Sequence, residues 1–172
     1  MSSLKKVFLP IFFICYILNF SQERKNVVGL ELFGHSETIF SVNYERLFYS
    51  QNNNIHYSIR AGFGRNPGYD VNGKPFKGVT SIPIVFNVLY GTEHFIQLGL
   101  GYTMLLSENF IDTSINPNIV YKEFESDFSL GLGYRLMLNT GFVCYAYPIL
   151  MYRDNPQKKF VISFGVEIGY SW

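Results

Sequence analysis

The chain has 172 residues and a formal net charge of +1, and only 16% of its residues are charged. This length suffices for one domain with a core of its own. The near-neutral balance and the lack of a basic stripe argue against nucleic-acid binding, which needs a positively charged face. Aromatic residues reach 18%, with 17 Phe and 13 Tyr, and this abundance requires a large surface that tolerates rings.

The N-terminus has the pattern of an export signal. Lys5 and Lys6 precede a 14-residue apolar run over residues 7–20, after which the chain becomes polar. This order is typical of a secretory signal peptide, and the run is shorter than the ~20 residues of a membrane-spanning helix. We therefore predict a signal peptide over residues 1–21 and a single domain over 22–172. An uncleaved anchor is the alternative.

From residue 27 onward, large apolar residues alternate with small or polar ones, which is the period of a β-strand. Eight segments follow this pattern: 27–35, 38–48, 55–64, 80–90, 95–105, 124–138, 142–152 and 160–172. Their typical length of roughly ten residues matches a tilted transmembrane strand. The pattern predicts an all-β fold, an eight-stranded antiparallel up-and-down transmembrane β-barrel that follows the signal peptide.

The lysines distinguish this barrel from a soluble lipocalin-like barrel, which alternates equally well but keeps its apolar face inside. Every lysine after the signal peptide lies outside the predicted strands: Lys25, Lys74, Lys77, Lys122, Lys158 and Lys159. A water-facing sheet would carry lysine along its strands, so we predict that the apolar face of each strand faces lipid. In the seventh segment this reasoning directs four large residues outward: Tyr145, Tyr147, Ile149 and Met151.

The connections alternate between short and longer segments, as in outer-membrane barrels with short periplasmic turns. The two longest, 65–78 and 107–122, are predicted extracellular loops. They contain four aromatic residues that we regard as candidates for surface interactions: Tyr69, Phe76, Phe110 and Tyr121. Packing of the same rings over the barrel mouth is the alternative.

Five charged residues occupy the predicted inner face at similar heights: Glu31, Glu45, Arg60, Arg135 and Glu167. Eight strands leave an interior that side chains fill, and buried charges need partners there. We predict a structural network in which three acids share two arginines. A gated ion path is the alternative reading.

Two shorter patterns bear on function and on fold. His35, Ser36 and Glu37 have the residue types of a hydrolytic triad, but adjacent residues of one turn cannot converge on one another. The block "LGLGY" occurs at Leu98–Tyr102 and again at Leu130–Tyr134. We interpret it as a repeated strand pattern and not as a repeat fold.

The last segment alternates large residues and finishes on an aromatic: Phe164, Val166, Ile168, Tyr170 and Trp172. This ending resembles the C-terminal signature of outer-membrane proteins, although Trp is less common there than Phe. Residues 22–172 as a whole resemble the small eight-stranded bacterial outer-membrane barrels. The resemblance implies the outer membrane of a Gram-negative bacterium, contact with outer-membrane lipid, and recognition of the last strand by the barrel-assembly machinery.

We therefore expect a non-enzymatic integral outer-membrane barrel, with a structural or surface-interaction role carried by loops 65–78 and 107–122. No cofactor, metal or nucleic acid is expected, and the extracellular partner is left open. The alternatives are a deacylase-like barrel enzyme that modifies lipid and a soluble lipocalin-like barrel that binds a ligand.

Overall fold

The structure is a computed structural model that describes residues 24–50, 54–67, 70–71, 74–110, 120–153 and 159–172. The predicted signal peptide lies outside these residues. The described part contains nine strands: β1 (Asn26–Leu32), β2 (Phe40–Phe48), β3 (Ile55–Pro67), β4 (Asp70–Val71), β5 (Lys74–Gly91), β6 (His94–Phe110), β7 (Val120–Met137), β8 (Phe142–Arg153) and β9 (Lys159–Ser171). Across this part of the chain, no helix is long and apolar enough to span a bilayer.

Eight of these strands close into an antiparallel barrel in which sequence neighbours are spatial neighbours. The short β4 pairs only with the start of β5, and β3 pairs directly with β5. Closure is made by β1 and β9, in register from Val27 opposite Ser171 to Leu32 opposite Val166. Because every barrel strand then has two neighbours, the fold has no open edge along the seam. The predicted eight-stranded up-and-down barrel is confirmed.

The strands differ greatly in length. β1 and β2 have 7 and 9 residues, whereas β5, β6 and β7 have 17 or 18. We call the end with turns 92–93 and 138–141 the base, and the opposite end the rim. The β5–β7 wall therefore rises far above the β1–β2 side at the rim.

The predicted loop bounds 65–78 and 107–122 are wrong, because strands occupy much of both segments. β3 continues to Pro67 and β5 already begins at Lys74, while β6 continues to Phe110 and β7 begins at Val120. Above the apolar band the strands carry polar residues, Gly and Pro, which hide the period. Backbone hydrogen bonds of the antiparallel ladder do not depend on that side-chain pattern, so pairing continues.

The outer surface is apolar around the barrel. Large residues such as Phe160, Ile162 and Leu100 are more than half exposed on it, while the alternate residues point inward and are buried. This is the reverse of a lipocalin-like barrel, which holds its apolar face inside. The predicted assignment of faces is therefore confirmed for most strands, and the exterior suits lipid and not water.

The assignment is wrong for β8. Tyr145, Tyr147, Ile149 and Met151 are almost completely buried inside the barrel, and Leu150 is exposed outside. Alternation separates the two faces of a strand but does not say which one is inside. The deciding factor is space in the lumen, which the neighbouring strands β7 and β9 leave open.

Two glycines provide that space for Tyr147. A Cβ added at Gly133 would lie 2.3 Å from the Tyr147 Cβ, and one added at Gly165 would lie 2.6 Å from the Tyr147 Cζ. Larger residues at either position would collide with Tyr147. The inward rings of β8 thus fill volume that the glycines leave empty.

The base of the lumen is apolar, in contrast to the predicted belt of five charged residues. Six inward side chains from different strands pack together there, with Tyr49 against them: Val27, Leu47, Leu89, Phe95, Met137 and Val143. We call this set the base cluster. It closes the lumen at the base without hydrogen bonds.

Candidate functional site

All five predicted charged residues point into the lumen and are at most 1% exposed. They come from five strands, with Glu31 on β1, Glu45 on β2, Arg60 on β3, Arg135 on β7 and Glu167 on β9. Each occupies an inward position of the alternating pattern. The structure divides them into two groups, one around each arginine.

Arg60 holds two carboxylates. Its Nη2 lies 3.2 Å from Glu31 Oε1, and its Nη1 contacts Glu167 Oε2. Glu31 and Glu167 are directly opposite each other in the β1–β9 ladder, so both lie at the closing seam. Two carboxylates placed opposite each other repel, and the Arg60 guanidinium between them offsets the repulsion.

Neutral donors complete the Arg60 group. Ser41 Oγ donates to Glu31 Oε2 at 3.0 Å, and the Tyr147 hydroxyl also donates to Glu31. Asn43 Nδ2 donates to Glu167 Oε2 at 3.3 Å. Tyr147 is one of the residues predicted to face lipid. Because it faces the lumen instead, it supplies a hydrogen-bond donor to the network.

Arg135 forms a one-to-one pair with Glu45. Its Nη1 and Nη2 donate to the two oxygens of Glu45 at 3.1 and 2.8 Å, a bidentate geometry. Ser58 Oγ and Asn87 Nδ2 also donate to Glu45 Oε1, the latter at 3.1 Å. The Arg135 guanidinium lies 5.1 Å from the centre of the Tyr145 ring, within cation–π range.

A feature that the sequence did not suggest is the insertion of the β1–β2 connection, residues 33–39, into the rim half of the lumen. His35 and Ser36 are both fully buried. His35 Nδ1 lies 2.7 Å from Ser129 Oγ, and the His35 carbonyl oxygen accepts a hydrogen bond of 2.7 Å from Thr103 Oγ1. The imidazole also stacks on Tyr147, with ring centres 5.2 Å apart.

Three glycines of β6 and β7 form the slot for the imidazole. A Cβ added at Gly101 would lie 2.8 Å from His35 Nδ1, and one at Gly131 would lie 3.2 Å from Nε2. Gly99 is at 3.5 Å from Nε2. These glycines belong to the two "LGLGY" blocks, which are therefore the signal in the sequence that a large group enters the lumen beside them.

At the rim, Arg153 joins the inserted connection to the wall. Its Nε donates to Asp127 Oδ2 at 3.0 Å, and its Nη2 contacts Glu37. Burial, and after it a hydrogen bond with Asp127, raise the pKa of Glu37 from its ordinary value of 4.5 to about 8, against the opposing effect of Arg153.

The His35–Ser129 pair does not form the triad of a hydrolase. Within the described residues His35 Nε2 has no hydrogen-bond partner, so no carboxylate orients the ring. Ser129 is 7% exposed and points into the lumen, away from lipid. Ser36 and Glu37, the other members of the sequence pattern, contact Thr38 and Arg153 instead.

The remaining predicted residues lie elsewhere. Phe164, Ile168 and Tyr170 are exposed on the outer face of β9, whereas Val166 and Trp172 are half-buried. The Trp172 backbone exchanges hydrogen bonds of 3.0 and 3.1 Å with Asn26 across the seam.

Of the aromatic loop candidates, Tyr69 lies outside the described residues. Phe76, Phe110 and Tyr121 belong to β5, β6 and β7, where only their backbone is described.

A closed eight-stranded antiparallel barrel with an apolar exterior and a filled lumen is the fold of the small outer-membrane barrels. Among solved structures, the N-terminal β-barrel domain of Pseudomonas aeruginosa OprF is similar, with 14% identity and a TM-score of 0.50 over 88% of this chain and 100% of that one. The Yersinia pestis outer membrane protein Ail is 12% identical, with a TM-score of 0.43 over 87% of this chain and 100% of that one. No family model and no curated protein matches the sequence.

Proposed function

We propose that the protein is a non-enzymatic integral barrel of the Gram-negative outer membrane, with a structural role and a surface-interaction role at the rim. The observation that carries this proposal is the filled lumen. The base cluster, the two arginine groups and the inserted residues 33–39 follow one another from base to rim. Such an interior braces the wall and leaves no wide aqueous path.

The exterior supports the membrane location. Exposed rings and branched chains surround the barrel, and no unpaired barrel edge is found among the described strands. Both properties are required in hydrocarbon, where backbone groups must pair within the protein. Outer-membrane lipid is thus the proposed partner of this surface. The outward residues of β9, with Trp172, are the proposed recognition signal for the barrel-assembly machinery.

The tall wall supports the surface role. The β6–β7 ladder runs from His94 opposite Leu136 to Phe110 opposite Val120. At ~3.3 Å per residue and a tilt of about 40°, such strands reach roughly 40 Å, whereas the apolar band of an outer-membrane barrel is ~25 Å tall. With the base at the periplasmic side, the wall projects beyond the membrane and offers a rigid sheet to an extracellular partner.

The location is tested by fractionation. We expect the mature chain to sediment with outer membranes and to resist alkaline extraction. Recovery in the soluble periplasmic fraction would contradict the proposal and favour a lipocalin-like role.

The two roles are separated by shortening the wall. In a variant with a short turn in place of residues 106–124, the β6–β7 strands are cut back to roughly 28 Å. The barrel below is unchanged, and retained heat-modifiable mobility on gels checks that it folds. Complementation of a gene deletion then distinguishes the roles. A shortened barrel that restores envelope integrity but not surface attachment supports both roles, and one that restores attachment as well refutes the role of the wall.

A further inference from the structure

The inserted residues 33–39 differ from the rest of the lumen filling in how they are held. They contact the wall through the hydrogen bonds of His35 to Ser129 and Thr103 and the stacking of its ring on Tyr147. Nearer the rim, Glu37 forms an ion pair with Arg153, and the Ile39 backbone N–H donates to Asn66 Oδ1 at 2.6 Å. The two large apolar side chains of the segment, Phe33 and Ile39, remain more than half exposed. Withdrawal would therefore exchange hydrogen bonds with water and give up little apolar burial.

The ends of the segment are conformationally strained. Phe33 has a φ of 63° and Glu37 a φ of 56°, and neither is glycine. Residues with side chains adopt this region rarely and hold it only when their surroundings impose it. A bulky residue such as Phe33 is a clear outlier there, and withdrawal of the segment would let both residues relax.

The opposite end of the lumen has none of these properties. The base cluster is formed by apolar side chains on six strands of the wall, and it can open only if the barrel itself deforms. The two ends of the lumen are thus closed in different ways. Side chains of the wall close the base, whereas a separate segment, residues 33–39, docks into a slot at the rim.

We propose that residues 33–39 are a releasable plug, and that their release opens a vestibule towards the rim while the base cluster stays closed. The vestibule exposes the slot between Gly99, Gly101 and Gly131, with the Tyr147 ring at its side. Beyond it lies the Arg60 group, in which two carboxylates face one guanidinium. The released state is an outward-open pocket and not a channel, so this inference goes beyond the closed barrel proposed above.

Cysteine accessibility tests the plug in intact outer membranes. Ser36→Cys is introduced in a Cys15→Ser/Cys144→Ser background and reacted with a membrane-impermeant maleimide. The perturbing variant is Gly101→Ala, whose new methyl would lie 2.3 Å from Ser129 Oγ and 2.8 Å from His35 Nδ1. The matched control is Gly99→Ala, which is equally inward-facing and overpacks the lumen at Asn87 Oδ1, 2.8 Å away, but comes no nearer than 3.5 Å to the imidazole.

With the slot intact, we expect Ser36→Cys to react slowly but measurably, behind an exposed reference, Glu123→Cys. Overpacking of the slot should speed labelling by about tenfold or more in Gly101→Ala, and by less than about twofold in Gly99→Ala. His35→Ala should also speed it, and it adds no volume if Gly101→Ala fails to fold. Equal acceleration by both glycine variants would overturn the proposal, and so would unchanged labelling in folded Gly101→Ala and His35→Ala.

Discussion

Arg60 and Arg135 are equally buried, yet their surroundings differ in charge balance. Arg135 faces one carboxylate in a bidentate pair, and the excess donors Ser58 and Asn87 also serve that carboxylate. Arg60 faces two carboxylates that lie opposite each other at the seam. The same type of interaction therefore has different consequences: one arginine satisfies a single partner, and the other keeps two like charges together where the barrel closes.

Arg60→Ala is expected to be the most destabilising single change in the network. It would leave Glu31 and Glu167 facing each other in low dielectric without the guanidinium that contacts both of them. Loss of one partner from a buried ionic group typically lowers the free energy of unfolding by about 3–5 kcal/mol, and the repulsion places this variant at the upper end. Urea unfolding of protein refolded into lipid vesicles measures it. A change below about 0.5 kcal/mol would mean that the charges are solvated.

Arg135→Ala should destabilise the barrel by less, about 3 kcal/mol. Glu45 would lose its bidentate partner but keep the hydrogen bonds from Ser58 and Asn87, and Arg60 remains opposite it in the β2–β3 ladder. The double variant Arg135→Ala/Glu45→Gln should recover part of the loss, because it no longer buries a lone charge. A loss as large as that of Arg60→Ala would show that charge balance does not distinguish the two sites.

Glu167→Gln leaves Arg60 with one carboxylate partner, so that the Arg60 group has the same charge balance as the Arg135 group. In the wild-type background we expect a change within about 1 kcal/mol, since Arg60 keeps Glu31 and the amide can still donate and accept. In the Arg60→Ala background it should restore part of the lost stability, because it removes the like-charge pair. Additive effects of the two substitutions in a double-mutant cycle would contradict the coupling.

The stability of the barrel should also depend on pH through Glu37. Its pKa is raised to about 8 in the folded barrel, so between pH 4.5 and 8 the folded state holds a proton that the unfolded state releases. The contribution of Glu37 to stability is then complete below pH 4.5 and declines as pH rises to about 8. Glu37→Gln removes this decline. The difference in urea midpoint between the two proteins, measured at pH 5 and pH 8, should change in favour of the variant at pH 8, and a constant difference would argue against the shift.

Much of the fold follows from local pattern. Period-two alternation predicts the eight strands, and the register places Glu31 and Glu167 opposite each other because both lie at inward positions near the seam. Alternation also predicts the inward direction of both arginines. These features depend only on the pleat of each strand, which points successive side chains to opposite faces.

What the pattern could not predict depends on volumes contributed by distant strands. Tyr147 faces inward because Gly133 and Gly165 leave room for it, and His35 enters the lumen because Gly101 and Gly131 do. In the sequence each of these glycines is only a small residue on a polar face. The space that it leaves becomes important only because the strand register places it beside a ring from another part of the chain.

Single-channel recording in planar lipid bilayers shows whether the lumen is filled and braced. We predict that the purified, folded protein gives no sustained nanosiemens-scale openings, because the base cluster closes the lumen even when residues 33–39 are released. Wild type and His35→Ala should be equally silent. Steady porin-like conductance in the wild type would contradict the claim, since it requires an aqueous path through the base cluster and past both arginine groups.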